Sequence, residues 1–189
     1  MITELDKNTA LVLIDLQKGI VGYPLVHPIG EILKNAAKLV VAFRKAGQPI
    51  VIVNVNPGGA KWTQARKDAK QPAGPALKED WTEIVPEIKT EAGDIFITKH
   101  TWGAFFETDL NQELTKRGVT GIVLGGISTS IGVEGTARHA SERAYNVTFA
   151  SDAMTDMVKE AHENSLNIIF PRIGEIGTTD EVIAHLNRD

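Results

Sequence analysis

The chain contains no cysteine among its 189 residues. That absence excludes disulfides, zinc–thiolate centres and a thiol nucleophile together. Long apolar runs are also missing: none approaches the roughly 18–20 residues that a membrane-crossing helix needs. Positive charge is not in excess, since 20 Lys and Arg against 24 Asp and Glu give a formal charge of −4. The basic residues are scattered rather than striped, so no nucleic-acid surface is expected. The first seven residues lack a basic start followed by an apolar core, so no signal peptide is expected and the expected location is the cytoplasm. Five histidines, His27, His100, His139, His162 and His185, show no H-x-H or H-x-x-x-H spacing, which gives no reason to expect a metal. No cofactor motif is present, and His139 and His162 read as ordinary helix residues.

What is present describes an ordinary globular protein: 42% apolar and 23% charged residues. The length suits one domain over residues 1–189 with a full core. Continuous apolar runs at 10–14, 49–55, 94–98, 121–124, 146–150 and 173–176 read as buried strands. Helical spacing appears between them, clearest in Ile29, Ile32, Leu33, Ala36, Leu39, Val40 and Phe43, with Gly47 as its C-terminal stop. Further helices are expected near 108–114, 133–144 and 158–170, and after Thr178. Alternation of this kind predicts an α/β fold of three layers, a doubly wound parallel sheet of about six strands. Residues 58–93 break the pattern. They read as a long irregular segment around Trp62 and Trp81, either a lid or subunit contact or a solvated loop with a tryptophan plug.

Three strand ends carry chemistry-bearing residues. Asp15 follows the first strand, where a carboxylate caps, pairs or works. Taken alone, it reads equally well as a loop-starting cap. Lys99 follows the third strand, where a single lysine is usually solvated. After the fourth strand, residues 125–137 are rich in glycine and hydroxyls, and Val133, Thr136, Ala137 and Ala140 recur at helical spacing. A strand giving way to a helix there aims backbone N–H groups and the positive helix end at whatever lies above the sheet.

These stretches resemble the isochorismatase-like hydrolases. The run from Gly126 to Ala137 follows the pattern G-[IV]-x-T-x-x-C-V-x-x-T-A, with Gly132 where most of that family has its nucleophilic cysteine. Leu13-Ile14-Asp15-Leu16-Gln17 matches the opening motif, and Lys99 with Gly103-Ala104-Phe105 and Thr108-Asp109-Leu110 matches K-x-x-x-[SG]-A-F-x-x-T-x-L. The resemblance implies that Asp15 is a catalytic acid or base, Lys99 its electrostatic partner and Gly132 the vacated nucleophile position. True isochorismatases also carry glycine there and hydrolyse a vinyl ether by proton delivery and water addition. For Asp15 as general acid, burial would raise the pKa and Lys99 would lower it, and the sequence does not show which prevails.

The resemblance further implies that Asn56, Trp102, Phe105, Ser128 and Ile131 contact substrate. Asn56 stands where isochorismatases have a glutamine and Ser128 where they have a tyrosine, so the pocket differs from theirs. The aromatics Trp102, Phe105 and Phe106 are otherwise expected mostly in the core. Ile127–Ser128 aligns with a non-proline cis peptide, and Asp152 reads as a cap. Nicotinamidase-type relatives place an Asp and histidines after the second strand, where this chain has Asn54 and Asn56. Thr129 and Ser130 could replace the thiol, but no base for them is evident in the sequence. The leading expectation is a thiol-free hydrolase of a small carboxylated metabolite, as a homo-oligomer (dimer or tetramer). The alternatives are water activated by Asp15 for amide hydrolysis, or a non-catalytic metabolite-binding or scaffold protein.

Overall fold

The computed structural model describes residues 1–58, 60, 65–68 and 77–186. Six strands form the central sheet: β1 (Thr9–Ile14), β2 (Ile50–Val55), β3 (Ile95–Lys99), β4 (Gly121–Ile127), β5 (Asn146–Thr155) and β6 (Glu175–Gly177). Their order is β3-β2-β1-β4-β5-β6 and every pair is parallel. β1 lies in the middle and is buried along its whole length, which is why its sequence is a continuous apolar run rather than an alternating one.

Alternate residues of β1 supply two cores. Ala10, Val12 and Ile14 face one layer with Leu110, Leu114, Ala137 and Ala140. Leu11 and Leu13 face the other with Leu39, Phe43 and Val182. The helices carrying those side chains are α2 (Ile29–Lys45) and α6 (Thr179–Leu186) on one face, and α3 (Leu110–Lys116) and α4 (Glu134–Ser141) on the opposite one. A short α1 (Lys18–Val21) follows β1, and α5 (Lys159–Asn164) follows β5. The stripe read from the sequence is buried in α2 from Ile32 to Phe43, and Gly47 follows that helix at φ +67°. Thr178 and Glu181 form a reciprocal capping box before α6.

Three elements differ from their sequence readings. β4 continues through Gly125 and Gly126, which looked like a turn because they are small. A Cβ at Gly126 would lie 2.0 Å from the Ile14 carbonyl oxygen, so glycine there is what lets β4 pair closely with β1. β5 runs on to Thr155, with an irregularity in its pairing to β4 beyond Leu124; the polar Ser151-Asp152 pair hides that continuation. The single helix expected over 158–170 is instead three windings: α5, a π segment (Ser165–Ile169) and a 3-10 turn (Phe170–Arg172). Pro171 lies in the first positions of that last turn, where its missing N–H is tolerated.

Of the irregular segment, Trp62 lies outside the described residues. Trp81 packs directly on Gly19, where an added Cβ would meet its ring at 2.2 Å. Gln17 is fully buried and ties this segment to the sheet. Its amide donates to the Val55 and Trp81 carbonyls and accepts from Val55 N–H.

Candidate active site

The strand order reverses direction between β1 and β4, the place where open α/β sheets bind ligands beyond their carboxyl ends. Asp15 leaves β1 at φ +54°, a left-handed conformation that Asp adopts more readily than most residues. Lys99 ends β3, two strands away or roughly 9–10 Å at the spacing of a sheet. Its long side chain closes that gap: Nζ donates to Asp15 Oδ2 at 2.7 Å and to the Thr101 carbonyl at 3.1 Å. The pair is buried, with Lys99 2% and Asp15 5% exposed. Asp15 Oδ1, also buried, has no hydrogen-bond partner among the described residues.

Burial dominates the carboxyl group's energetics. It pushes the Asp15 pKa up to about 6, against the lowering effects of the Lys99 charge and hydrogen bond. The competition left open by the sequence is therefore won by desolvation.

After β4 the chain passes a cis Ile127–Ser128 peptide and enters a π-helical turn (Thr129–Val133) that leads into α4. The Ser128 carbonyl accepts from both Ile131 and Val133 N–H. Gly132 is buried in this turn. A Cβ built on it would stand 3.3 Å from Asp15 Oδ2, 3.3 Å from the Ile127 carbonyl and 2.9 Å from Ile14 Cγ2. The position of the missing thiol thus abuts the Asp15–Lys99 pair.

The other sequence-selected residues are distributed unevenly. Asn56 lies beside Lys99, its N–H donating to the Lys99 carbonyl, and its side chain accepts from Gly58 N–H. Ser128 and Ile131 share the Gly132 turn. Trp102 is 53% and Phe106 49% exposed, so neither is a core side chain; Trp102 borders Gly135 at the start of α4. Phe105 is drawn away into the core, packed on Tyr145 and under Arg143. Asp152 caps α6, accepting from Thr179 N–H and Oγ1. Among the described residues, no three His, Cys, Asp or Glu side chains form a group that could hold a metal.

A second polar group, beside the Gly132 turn, was not legible in the sequence. Asp156 is 1% exposed, and its carboxylate accepts from Ser130 N–H and Oγ, Met157 N–H and Val158 N–H. Thr129 Oγ1 is 2.8 Å from His162 Nδ1; His162 lies in a helix, as expected, and is buried there. Burial and the neighbouring His27 push the His162 pKa below its usual value, against Asp156 and Glu163. The hydroxyls of Thr129 and Ser130 thus have a base and a carboxylate after all. Thr129 is fully buried and its hydroxyl is engaged with His162.

A family model described as an isochorismatase domain matches residues 9–181. The isochorismatase family protein YwoC of Bacillus subtilis is 46% identical over 179 residues, spanning 94% of this chain and 93% of its own. YecD of Escherichia coli, of the same family, is 42% identical over 182 residues, spanning 94% and 95%. The crystal structure of an isochorismatase family protein from Burkholderia thailandensis superposes with a TM-score of 0.93 at 40% identity, covering both chains completely. This chain, with Asp15, Lys99 and a cysteine-free Gly132 turn gathered at the switch point of its sheet, belongs to the isochorismatase family of hydrolases.

Proposed function

We propose that the protein hydrolyses a small carboxylated metabolite without a protein nucleophile, with Asp15 as general acid and base and Lys99 as electrostatic stabiliser. One observation carries this reading: a buried Asp15–Lys99 pair whose Oδ1 has no hydrogen-bond partner among the described residues, set against a position where the thiol is replaced by hydrogen. Such a group transfers a proton well near its pKa, and about 6 suits neutral water.

The chemistry that fits is enol-ether cleavage. Protonated Asp15 delivers its proton to the enol carbon, and the C–O bond gains oxocarbenium character. Water adds to the oxygen-bearing carbon, not the one that took the proton, and loses a proton to the Asp15 carboxylate; the resulting hemiketal collapses to a ketone and an alcohol. Proton delivery leaves Asp15 as a carboxylate hydrogen-bonded to the Lys99 ammonium, so the step creates an ion pair already in place. Asn56, Ser128, Ile131 and Trp102 are the residues proposed to set which metabolite fits.

The test is a panel of carboxylated enol ethers, with isochorismate as the first probe and ketoacid release as the readout, beside a panel of small amides. Turnover of an enol ether that drops at least about 100-fold in Asp15→Asn is the expected result. Turnover unaffected by Asp15→Asn, or confined to amides, would overturn the reading.

A further inference from the structure

Beside the Gly132 turn, four side chains from four separate pieces of the chain meet. His27 precedes α2, Thr155 ends β5, His162 lies in α5 and Thr129 opens the turn itself. Thr129 Oγ1 lies 2.8 Å from His162 Nδ1 and Thr155 Oγ1 lies 2.9 Å from His27 Nδ1. The two imidazole centroids are 4.8 Å apart, tilted by 58°. Both threonines are completely buried. We propose that His162 is a positioning residue that holds the Gly132 turn through Thr129, braced by the His27 ring packed on it, and that protonating His162 loosens this hold, giving the site an acid limit.

The physical basis is crowding of charge. Neutral imidazole can accept at one nitrogen while donating at the other, but imidazolium only donates, so protonation can force the threonine hydroxyls to reorient. An imidazolium formed at His162 would be a buried charge against the His27 ring 4.8 Å away, which disfavours it. The anions that could compensate are already engaged. Asp156 accepts four hydrogen bonds. Glu163 pairs with Lys159, and Glu134 with Arg138 and Ser165. Asp152 is committed to Thr179, and Glu31, which shares a 320 Å³ surface cavity with His27, is exposed. The lowered pKa of His162 agrees with this arrangement. Because its folded value lies below the unfolded one, the hold is complete at neutral pH and is lost as pH falls through the folded value.

Amide exchange in the turn reads the hold directly, without a substrate. Protection factors for Thr129–Val133, corrected for intrinsic exchange, are measured from pH 7.5 to 5 in the wild type, His162→Gln and His27→Gln, with imidazole titrations by NMR. In the wild type the turn is expected to lose protection about tenfold or more while Leu11 and Leu13 in β1 keep theirs. His162→Gln keeps a polar atom for Thr129 but cannot be charged, so its turn should be insensitive to pH. His27→Gln removes the neighbour that lowers the His162 pKa and should raise that pKa, which remains measurable if His162→Gln fails to fold. Constant wild-type protection, the same loss in His162→Gln, or an unmoved His162 titration in His27→Gln would each overturn the proposal. Only its consequence for turnover, an acid limb absent from His162→Gln, rests on the hydrolase reading, so failure of either is seen separately.

Discussion

Two carboxylates, Asp15 and Asp156, sit at the carboxyl ends of parallel strands, and both are almost wholly buried. Asp156 has each oxygen saturated by two donors, three of them backbone N–H groups. Asp15 has one oxygen on Lys99 and the other bare. Their surroundings therefore assign them different work. A carboxylate enclosed by fixed donors has its hydrogen-bonding capacity spent and holds chain segments together. One that is buried with an empty oxygen has unspent hydrogen-bonding capacity and a raised pKa, which is the condition of a group meant to meet something else.

Removing each carboxylate tests that contrast most severely. Asp156→Ala strands three backbone N–H groups and the Ser130 hydroxyl at once, at about 1–3 kcal/mol for each group left without a partner. A loss of about 5 kcal/mol in urea unfolding is expected, with the Gly132 turn losing its anchor. A loss under about 1 kcal/mol would mean that water replaces the carboxylate, and that the turn does not depend on it.

Asp15→Leu should cost somewhat less, about 3 kcal/mol, because it leaves the single buried Lys99 charge uncompensated. The informative variant is the double replacement Asp15→Leu with Lys99→Met. An apolar pair of similar volume removes both desolvation penalties, so stability should return to within about 1 kcal/mol of the wild type or exceed it. No such rescue is available at Asp156, whose partners are mostly backbone. If the double variant were as unstable as the single one, the pair would be structural, and the distinction between the two carboxylates would collapse.

That distinction also shows what sequence could reveal. The parallel sheet was readable because buried strands write themselves as apolar runs, and Asp15 and Lys99 stood out because charges closed two of those runs. Asp156 was invisible for the opposite reason. The polar pair Ser151-Asp152 interrupts β5 where the strand departs from regular pairing with β4, so the strand seemed to end before reaching Asp156. His162 and Gln17 were equally hidden, since a polar residue gives no sign in sequence of whether its partners lie 33 or 38 positions away. Phe105 matched a motif, yet motif spacing does not fix which way a ring turns, and this one turns into the core.

A gentler probe is pH. The folded pKa of Asp15, about 6, lies above its unfolded value. Its contribution to stability is therefore fully present below the unfolded value and is lost as pH rises through about 6. A general acid obeys the same titration: turnover should fall about tenfold per unit above pH 6. A rate that instead climbs through this range would make Asp15 a base and favour attack by activated water.

The smallest perturbation restores what the turn lacks. In Gly132→Cys the new Cβ would crowd Ile14 Cγ2 at 2.9 Å, a methyl fixed on the branched Cβ of a buried strand residue, so a cost of about 1–3 kcal/mol is expected. The sulfur would enter the space beside Asp15 Oδ2, 3.3 Å from that Cβ, where the carboxylate can take its proton and Lys99 can stabilise the thiolate. The expected result is alkylation by iodoacetamide that slows at least about tenfold when Asp15→Asn is added to the same background. Equal rates with and without Asp15→Asn would mean that the Asp15 carboxylate is not available to a group at position 132, and that burial alone explains its pKa. A clear difference would show that the proton-transfer half of a thiol hydrolase persists in a site without the thiol. The carboxylate and its lysine would then be the shared chemical unit, and residue 132 the place where nucleophilic and acid-catalysed hydrolysis diverge.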